Sequence, residues 1–460
     1  MDWGATQHNG SFWFDSLGEL PLAEPPKRLP YHVDVAIIGG GYTGLWTAYY
    51  LKQHQPDLDI AVFEAVTVGF GASGRNGGWC MGLAWGIDGM LARPEQRQQG
   101  VELLRAMHDT VDEVGRVCQA ENIDCHYAKG GTLNVATLPF RVQQLQDHVA
   151  EMHALGFSED DYRWLPEEAS RQRLNCAPNH GAAYTSHCAA IHPARLVRGL
   201  GEVVRRKGVA IYEQTPVLDL EASKVRTPHG TVKADVVLRA TEGYSDTLPS
   251  QRRQLLPIYS MMVATEPLPD SVWGEIGLRA RETFGDGRRL VIYGQRTLDN
   301  RFAFGGRAGY YFGSEMKPVI DPAEPLLDRV EANLRGLFPA LEDYAVTHRW
   351  GGLMGTASHW RPCVTFDRER GIGAAGGYVG EGVAASNLAG RILADLVAGR
   401  KTDLTRLAWV NDTARRWVPE PLRWLGVKSI RAIASKADAE EFRTGQRSKL
   451  WGGLYARLMG

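Results

Sequence analysis

The fold of this chain is decided by the stretch DVAIIGGGYTG at residues 34–44. An apolar run ends there at three glycines with the spacing G-x-G-x-x-G, which are Gly39, Gly41 and Gly44, and a helical pattern follows. Twenty residues after Gly44, a second apolar run ends at Glu64. This order of strand, glycine turn, helix, strand and acid predicts a βαβ unit that binds a dinucleotide.

Each part of this motif has a physical role in holding the ADP half of a dinucleotide. Gly39 permits a tight turn, Gly41 lets the backbone approach a pyrophosphate, and Gly44 lets the helix pack on the strand. The pyrophosphate would lie on the N–H groups at the positive end of that helix. Glu64 is placed to accept hydrogen bonds from a ribose diol. The predicted ADP-binding residues are Gly39, Gly41, Tyr42, Thr43, Gly44, Glu64 and Ala65.

Composition and charge narrow the class of protein. The chain has 460 residues, enough for two or three domains, with 44% hydrophobic and 23% charged residues. Its net charge of −1 gives no overall field that would attract nucleic acid. No signal peptide is evident, and no apolar run approaches the roughly 20 residues of a membrane span. The six cysteines are scattered without C-x-x-C spacing, and the 13 histidines show no metal-ligand spacing, so we expect a metal-free protein of the reducing cytoplasm.

The order of helix and strand patterns predicts two interleaved domains. We expect an α/β fold in which a doubly wound βαβ domain alternates along the chain with an antiparallel-sheet substrate domain (α+β). A helical C-terminal extension follows, and Ser11 to Phe14 are expected to pack against the body. The predicted boundaries are 30–95, 180–250 and 345–400 for the nucleotide domain, 96–179 and 251–344 for the substrate domain, and 401–460 for the extension.

The βαβ motif alone leaves NAD and FAD open as the dinucleotide. Two more glycine-rich stretches favour FAD, an early glycine loop at residues 71–78 and a late glycine loop at residues 371–382. The tricyclic flavin ring needs the backbone to approach it closely from several sides, and glycine-rich loops allow this approach. A single glycine loop would indicate only a turn. The small Ala48 on the helix and the interruption of the nucleotide domain by long insertions point the same way.

At these motifs the sequence resembles the D-amino-acid-oxidase-type flavoproteins, a family that includes glycine oxidase, sarcosine oxidase and gamma-glutamylputrescine oxidase. The resemblance covers about residues 30–400 and is closest to the gamma-glutamylputrescine oxidase branch and a subgroup linked to aminophosphonate breakdown. It implies oxidation of a C–N bond by hydride transfer to flavin N5, after which the imine hydrolyses to a carbonyl compound. The resemblance is carried by GGGYTG at 39–44, GASGRNGG at 71–78, IHP at 191–193, AT at 240–241 and GYVGEGV at 377–383.

The resemblance also implies which residues meet FAD. The early glycine loop would line the pyrophosphate and the ring edge, and Val217 would meet the adenine. The late loop would face flavin N1 and the C2 carbonyl, where the helix that follows points its positive end. Some relatives attach the flavin through a Cys or His, and no such residue stands at the matching positions here, so we expect non-covalent FAD. The residues implied by the resemblance are Ala72, Ser73, Arg75, Asn76, Gly77, Gly78, Val217, Thr241, Gly380, Glu381, Gly382 and Val383.

Substrate residues are expected on the strand-rich insertion that would cover the ring. Arg307 could bind a carboxylate or phosphonate, or could form a structural ion pair. Glu381 stands where many relatives have His, and could orient an amine or face solvent. His359 could line the pocket or be a structural histidine. The candidate catalytic residues are Glu381, Tyr259, Arg307 and His359, and Met261, Arg296, Tyr311 and Trp79 are further pocket candidates.

Hydride transfer from a neutral amine needs no dedicated base, so the reaction class does not require a further catalytic residue. The expected partners are a small-molecule amine and an electron acceptor, which is oxygen in an oxidase and a quinone or carrier in a dehydrogenase. A protein that only binds FAD is the remaining alternative. The oligomeric state is left open by the sequence.

Overall fold

A computed structural model describes residues 10–18, 25–26 and 28–459, except the side chains of residues 307 and 308. The described chain forms two large sheets with helices packed on them. The helices are α1 Phe12–Asp15, α2 Tyr42–His54, α3 Ile87–Leu91, α4 Arg97–Ala120, α5 Pro139–Ala154, α6 Glu167–Arg173, α7 Pro193–Arg206, α8 Asp270–Ile276, α9 Pro325–Leu337, α10 Gly382–Val397, α11 Leu422–Thr444 and α12 Leu450–Met459.

The strands are distributed over both halves of the sequence, as expected for interleaved domains. They are β1 His32–Ile38, β2 Ile60–Phe63, β3 Trp79–Met81, β4 Thr132–Val135, β5 Tyr162–Leu165, β6 Ala182–Thr185, β7 Cys188–Ala190, β8 Ala210–Tyr212, β9 Asp219–Glu221, β10 Lys224–Thr227, β11 Gly230–Arg239, β12 Leu256–Thr265, β13 Thr283–Gly285, β14 Ile292–Arg296, β15 Phe302–Gly309, β16 Val346–Thr356, β17 Cys363–Asp367 and β18 Ile372–Gly376.

The first sheet has the order β17-β18-β11-β1-β2-β8. Strands β18, β11, β1, β2 and β8 run parallel, whereas β17 is antiparallel and β9 and β10 extend the β11 hairpin. The strand β2 is buried along its whole length, because α2 and α10 cover one face of the sheet and a second core covers the other. The predicted βαβ unit is therefore present as β1, α2 and β2, and the predicted fold class is confirmed.

The second sheet has the order β16-β12-β15-β14-β13-β4-β6-β5. All its neighbours are antiparallel except β13 and β4, which run parallel. An aromatic core fills one face of this sheet, in which Phe302 stacks on Trp273 with ring centroids 5.5 Å apart. The predicted antiparallel sheet thus holds, with one parallel pair that joins its two halves.

Three elements lie with a different layer from the one that the predicted boundaries assign. The strand β16 pairs along its length with β12 of the second sheet, whereas the predicted boundaries place residues 345–400 in the nucleotide domain. The strand β6 also belongs to the second sheet. The helix α4 packs with α2 and α10 on the first sheet, because its buried face, which includes Val111 and Val114, joins their core. The chain therefore crosses between the layers more often than the boundaries allow.

The N-terminal arm packs between the two layers, as predicted for Ser11 to Phe14. Phe12, Trp13 and Phe14 are buried, and the Trp13 indole lies edge-on to that of Trp350, with ring centroids 6.2 Å apart. The Ser11 hydroxyl and the Trp13 indole N–H donate to two carbonyls of the early glycine loop, at 3.0 and 2.8 Å. The arm therefore supports this loop from behind.

The predicted helical extension is a hairpin of α11 and α12. The helix α11 ends at Thr444 and is capped by Gly445, whose φ of 66° lies in the left-handed region that favours glycine at this position. Among the described residues, the helices include none that is both long and apolar enough to cross a membrane.

The buried ring of His108, on helix α4, stacks on the half-buried ring of His187. The rings of His108 and His187 are 3.6 Å apart and 3° from parallel. His108 Nε2 shares a hydrogen bond with the Tyr162 hydroxyl at 2.8 Å, and His187 Nε2 pairs with Asp161 at 2.7 Å. Burial, with a smaller contribution from a charge on His187, lowers the pKa of His108 to about 3. The folded protein therefore keeps His108 neutral at physiological pH.

We predict that this pair sets part of the acid sensitivity of the fold. The unfolded chain takes up a proton at His108 near pH 6.5, whereas the folded protein resists it until about pH 3. The stability that this pair contributes is thus fully present above pH 6.5 and is lost as the pH falls toward 3, by up to about 1.4 kcal/mol per pH unit. His108→Gln, which keeps a partner for Tyr162, should lose less stability than the wild type between pH 6.5 and 5 in urea unfolding.

The matched control is His32→Gln, since the His32 side chain is exposed where it pairs with Asp235. Its stability should follow that of the wild type across this pH range. Parallel curves for His108→Gln and the wild type would contradict the assignment.

Candidate active site

A cavity of about 1250 Å³ is lined by residues of both sheets and of the loops between them. It is larger than the 300–1,000 Å³ typical of a site for one small ligand. Most of the residues predicted to bind the dinucleotide lie on its wall. These are Gly39, Gly41, Tyr42, Thr43, Glu64, Ala65, Ala72, Ser73, Arg75, Asn76, Gly77, Val217, Thr241, Gly380, Glu381, Gly382 and Val383.

The glycines of the first motif are required by close backbone packing. Gly39 has a φ of 109°, and a Cβ there would lie 2.5 Å from the Ala240 carbonyl oxygen. A Cβ on Gly44 would lie 2.1 Å from the carbonyl oxygen of Gly39, which explains why Gly44 packs behind the motif instead of on the cavity wall. The Tyr42 N–H donates to Ser73 Oγ at 2.9 Å, so the early glycine loop meets the start of α2.

Glu64 is fixed at the end of β2. Its carboxylate accepts hydrogen bonds from the backbone N–H groups of Gly40 and Val66, at 2.8 and 3.0 Å. Burial raises the pKa of Glu64 to about 7. Because a carboxylate has about four acceptor positions, these bonds leave acceptor capacity for hydroxyl groups such as those of a ribose diol.

The early glycine loop is held by side chains from distant parts of the chain. The Gln295 amide on β14 donates to the carbonyls of Gly77 and Gly78, at 2.7 and 3.1 Å, and the Trp350 indole donates to the Arg75 carbonyl at 2.9 Å. Gly78 lies off the cavity wall because it packs against the Gln295 amide. The sequence does not predict this role of Gln295, because the role depends on where β14 lies relative to the early glycine loop.

Arg75 is a buried cation with unused hydrogen-bonding capacity on the cavity wall. One guanidinium N–H donates to the Pro318 carbonyl at 2.6 Å, and the guanidinium lies over the Phe70 ring, 4.4 Å from its centroid. Its Nε and Nη2 have no hydrogen-bond partner within the described chain. Burial lowers the pKa of Arg75. A buried guanidinium with free donors fits an anionic ligand, as the pyrophosphate of FAD would be.

The late glycine loop is held by Glu242, a residue that the sequence analysis did not identify. Its carboxylate accepts hydrogen bonds from the backbone N–H groups of Gly355, Gly377 and Tyr378, at 3.1, 2.8 and 3.3 Å. Burial raises the pKa of Glu242 to about 7, against the lowering effect of these hydrogen bonds. Thr43 Oγ1 shares a hydrogen bond with the Tyr378 hydroxyl at 2.9 Å, so α2 also meets this loop.

Two of the four candidate catalytic residues lie on the cavity wall. Glu381 stands at the N-cap position of α10, and its side chain does not cap the helix. His359 lines the wall, but both ring nitrogens are engaged, with the Asp412 carbonyl at 3.3 Å and the Arg361 N–H at 3.2 Å. This satisfied geometry favours a structural role for His359.

Of the other two candidates, Tyr259 does not lie on the described wall. The Tyr259 hydroxyl is used by the backbone of Lys317, accepting from its N–H at 2.6 Å and donating to its carbonyl at 3.1 Å. Arg307 lies on β15 opposite Ser260, and its side chain is outside the described residues.

Three further pocket candidates also lie elsewhere in the described structure. Met261 is buried in the second core, Arg296 bonds to Asn300, and the Tyr311 hydroxyl donates to Glu324. Trp79 does line the cavity, as predicted, and lies edge-on to Tyr293 with ring centroids 5.9 Å apart.

A family model described as "FAD dependent oxidoreductase" matches residues 34–396. The chain belongs to the FAD-dependent oxidoreductase family. Its cofactor is therefore FAD, which confirms the choice made from the two additional glycine loops, and the protein is an enzyme.

Members of the FAD-dependent oxidoreductase family with known names are similar over most of the chain. The probable oxidoreductase OrdL of Rhizobium meliloti (strain 1021) is 30% identical over 422 residues, covering 88% of this chain and 92% of the relative. The gamma-glutamylputrescine oxidoreductase of Escherichia coli (strain K12) is 29% identical, covering 86% and 90%. The crystal structure of glycine oxidase from Geobacillus kaustophilus shares the fold with a TM-score of 0.68 at 19% identity, covering 84% and 100%.

We predict that Glu242 controls the retention of FAD by this oxidoreductase. Glu242→Ala leaves three backbone N–H groups without their acceptor, at a cost of about 1–3 kcal/mol for each group left unsatisfied in a buried site. We expect the dissociation constant of FAD to rise about tenfold or more, since 1.4 kcal/mol corresponds to a factor of ten. Titration of the apoprotein with FAD measures this constant by fluorescence.

Glu221→Ala is the control, because Glu221 is exposed on β9, where its only ion pair is with a neighbouring surface lysine in the described structure. It should bind FAD as the wild type does. Equal dissociation constants for the Glu242→Ala and Glu221→Ala variants would show that the late loop is positioned without Glu242.

Proposed function

We propose that this enzyme oxidises the C–N bond of a small amine, amino acid or aminophosphonate, using non-covalent FAD. The observation that carries the proposal is one cavity that joins the three glycine-rich segments to an aromatic end formed by Trp79 and Tyr293. The cavity has room for a dinucleotide and a small substrate together. The imine that this oxidation produces would hydrolyse to a carbonyl compound.

The wall of the cavity offers a position for each part of FAD. The start of α2 and the guanidinium of Arg75 would hold the pyrophosphate, and Glu64 would hold the adenosine ribose. Val217 would lie against the adenine. When bound, FAD supplies the two-electron acceptor for a hydride from the substrate carbon.

The helix α10 supplies the electrostatic contribution of the protein. It begins at Gly382 on the cavity wall, and no side chain caps its first turn in the described chain. The N–H groups of that turn and the positive end of the helix dipole would favour negative charge that develops nearby. A cation or a metal is not needed for this role.

The aromatic end of the cavity would bind the substrate and exclude water. Trp79 and Tyr293 form an edge-to-face pair there, and the Tyr293 hydroxyl shares a hydrogen bond with Ser260 Oγ at 2.6 Å. We assign to Glu381 the orientation of the substrate amine, because a carboxylate on this wall attracts an ammonium group. The amine must lose a proton before oxidation, and bulk water can accept that proton before the amine enters the end of the cavity that excludes water.

Support for an amine or amino-acid substrate comes from the names of the relatives, which include gamma-glutamylputrescine oxidoreductase and glycine oxidase. The electron acceptor is either oxygen or a quinone or carrier, and an L-proline dehydrogenase from P.horikoshii shares the fold with a TM-score of 0.67 at 18% identity. We place the enzyme in a reducing compartment such as the cytoplasm, in keeping with its six free cysteines.

The proposed reaction predicts that an amine bleaches the flavin absorbance without oxygen. The purified enzyme should be yellow and should lose its visible absorbance on anaerobic addition of at least one amine from a panel of neutral and anionic amines. Readmission of oxygen with formation of hydrogen peroxide identifies an oxidase, whereas slow reoxidation identifies a dehydrogenase. Absence of bleaching by every amine in the panel would refute the proposed function.

A second prediction concerns the recognition of anionic substrates. Arg307 lies on β15 opposite Ser260, which lines the cavity. If its guanidinium binds a carboxylate or phosphonate, Arg307→Ala should raise KM for anionic amines about 10- to 100-fold, the equivalent of a charged hydrogen bond of about 1.5–3 kcal/mol. KM for neutral amines should stay the same. Arg226→Ala, at an exposed position on β10, is the control. Equal KM values for anionic amines in both variants would remove Arg307 from the site.

A further inference from the structure

The C-terminal hairpin supplies part of the cavity wall. The helices α11 and α12 follow the end of the family match at residue 396. Tyr455 and Met459 of α12 nevertheless line the same cavity as the FAD-binding residues. We propose that Tyr455 and Met459 are specificity-determining residues, which limit how far an amine substrate extends beyond its oxidised carbon. This inference rests on the proposed amine oxidation.

Contacts along the wall place the hairpin at the substrate end of the cavity. Gly77 of the early glycine loop packs against the Tyr293 ring, and Tyr293 lies edge-on to Trp79. Beyond Trp79 the wall continues through Gly285 to Arg289, which follows β13 in the chain. The Arg289 guanidinium lies 5.8 Å from the centroid of the Tyr455 ring. The hairpin therefore closes the end that is remote from the ADP-binding motif.

A buried cluster of charges fixes the hairpin to this wall. The Arg289 guanidinium donates to both carboxylate oxygens of Glu441, at 2.7 and 2.8 Å, and to Asp438 at 3.0 Å. Asp438 also accepts from the backbone N–H of Leu290 at 3.0 Å, and Glu441 from that of Ser448 at 3.0 Å. Glu441 is 1% exposed, so these charge-assisted bonds are shielded from solvent. The hairpin is thus a fixed wall, joined to the segment that carries Arg289.

The spacing of residues on α12 gives the helix two distinct faces. Trp451, Tyr455 and Met459 recur every four residues and are partly buried toward the body. Leu454 and Leu458 point outward, with 39% and 51% of their surface exposed. The inner face therefore offers one aromatic ring and one thioether to the cavity, which suits the hydrocarbon part of an amine.

Gly452 lets this face come close to the body. A Cβ on Gly452 would lie 2.8 Å from Arg289 Nη2, so a larger residue would push α12 outward or displace the guanidinium. The position of Tyr455 one turn later depends on this contact. Residues outside the matched family region thereby set the depth of the substrate end.

The test compares wall variants with matched variants on the outer face of the same helix. Tyr455→Ala and Met459→Ala shorten the wall, whereas Leu454→Ala and Leu458→Ala change only the exposed side. The substrates are unbranched primary amines of increasing chain length. We expect kcat/KM for the longest amines to rise about tenfold relative to the shortest in the wall variants, the order of magnitude of pocket discrimination by size. The outer variants should keep the wild-type ratio, and a wild-type ratio in both wall variants would overturn the proposal.

A second measurement tests the wall without turnover. Iodide quenching of the fluorescence of bound FAD reports how easily a small anion enters the cavity. The quenching constant should rise in Tyr455→Ala and stay at the wild-type value in Leu454→Ala, with equal thermal midpoints showing that both variants are folded. An unchanged quenching constant in a folded Tyr455→Ala variant would also contradict the proposal that Tyr455 closes the cavity.

The two measurements separate this proposal from the function on which it rests. If no amine bleaches the wild-type flavin, the amine reaction fails, and the iodide result still decides whether Tyr455 closes the cavity. If amines bleach the flavin but chain-length selectivity is the same in all four variants, the reaction stands and the specificity role fails.

Discussion

The close packing of backbone around Gly39 is the constraint on which the rest of the structure depends. Strand β1 lies between β2 and β11, so the ends of three parallel strands meet at one edge of the first sheet. At that edge the carbonyl of Ala240, the residue directly after β11, occupies the space that a side chain on Gly39 would need. Because the turn is this tight, α2 starts directly above the edge with its N–H groups toward the cavity.

Glu242 carries this arrangement from the first sheet to the second. It follows β11 by a few residues and binds backbone N–H groups at the end of β16 and in the late glycine loop. One carboxylate therefore fixes two segments that each lie more than 100 residues after it in sequence. The same acid joins the second sheet to the first sheet through these hydrogen bonds.

The sequence predicted the cofactor half of the site because its signals are local. The glycine spacings around Gly39 and Gly77 require particular backbone conformations that few other residues allow. The second layer depends on strand pairing between distant segments, and such pairing leaves a weaker pattern. Because the strand β16 contains Gly351, Gly352 and Gly355, its sequence pattern did not indicate that it pairs with β12. The contact of Tyr259 with Lys317 likewise depends on the path of a distant loop.

The residues at the proposed substrate end could not be predicted from the local sequence, because their positions depend on the packing and the charges of distant elements. Nothing local to Tyr455 indicates that it reaches the cavity. Its position follows from Arg289, which is far away in sequence and binds two acids of α11. A sequence pattern predicts that α12 has an apolar face, but it does not predict what that face contacts.

The N-terminal arm has a consequence for the order in which the protein is made. Trp13 leaves the ribosome early, but it packs on Trp350, Met262 and Ala303, which are synthesised much later. Until those residues fold, the arm has no binding site and cannot support the early glycine loop through Asn76. The early glycine loop therefore receives this support only in a chain whose second sheet has formed.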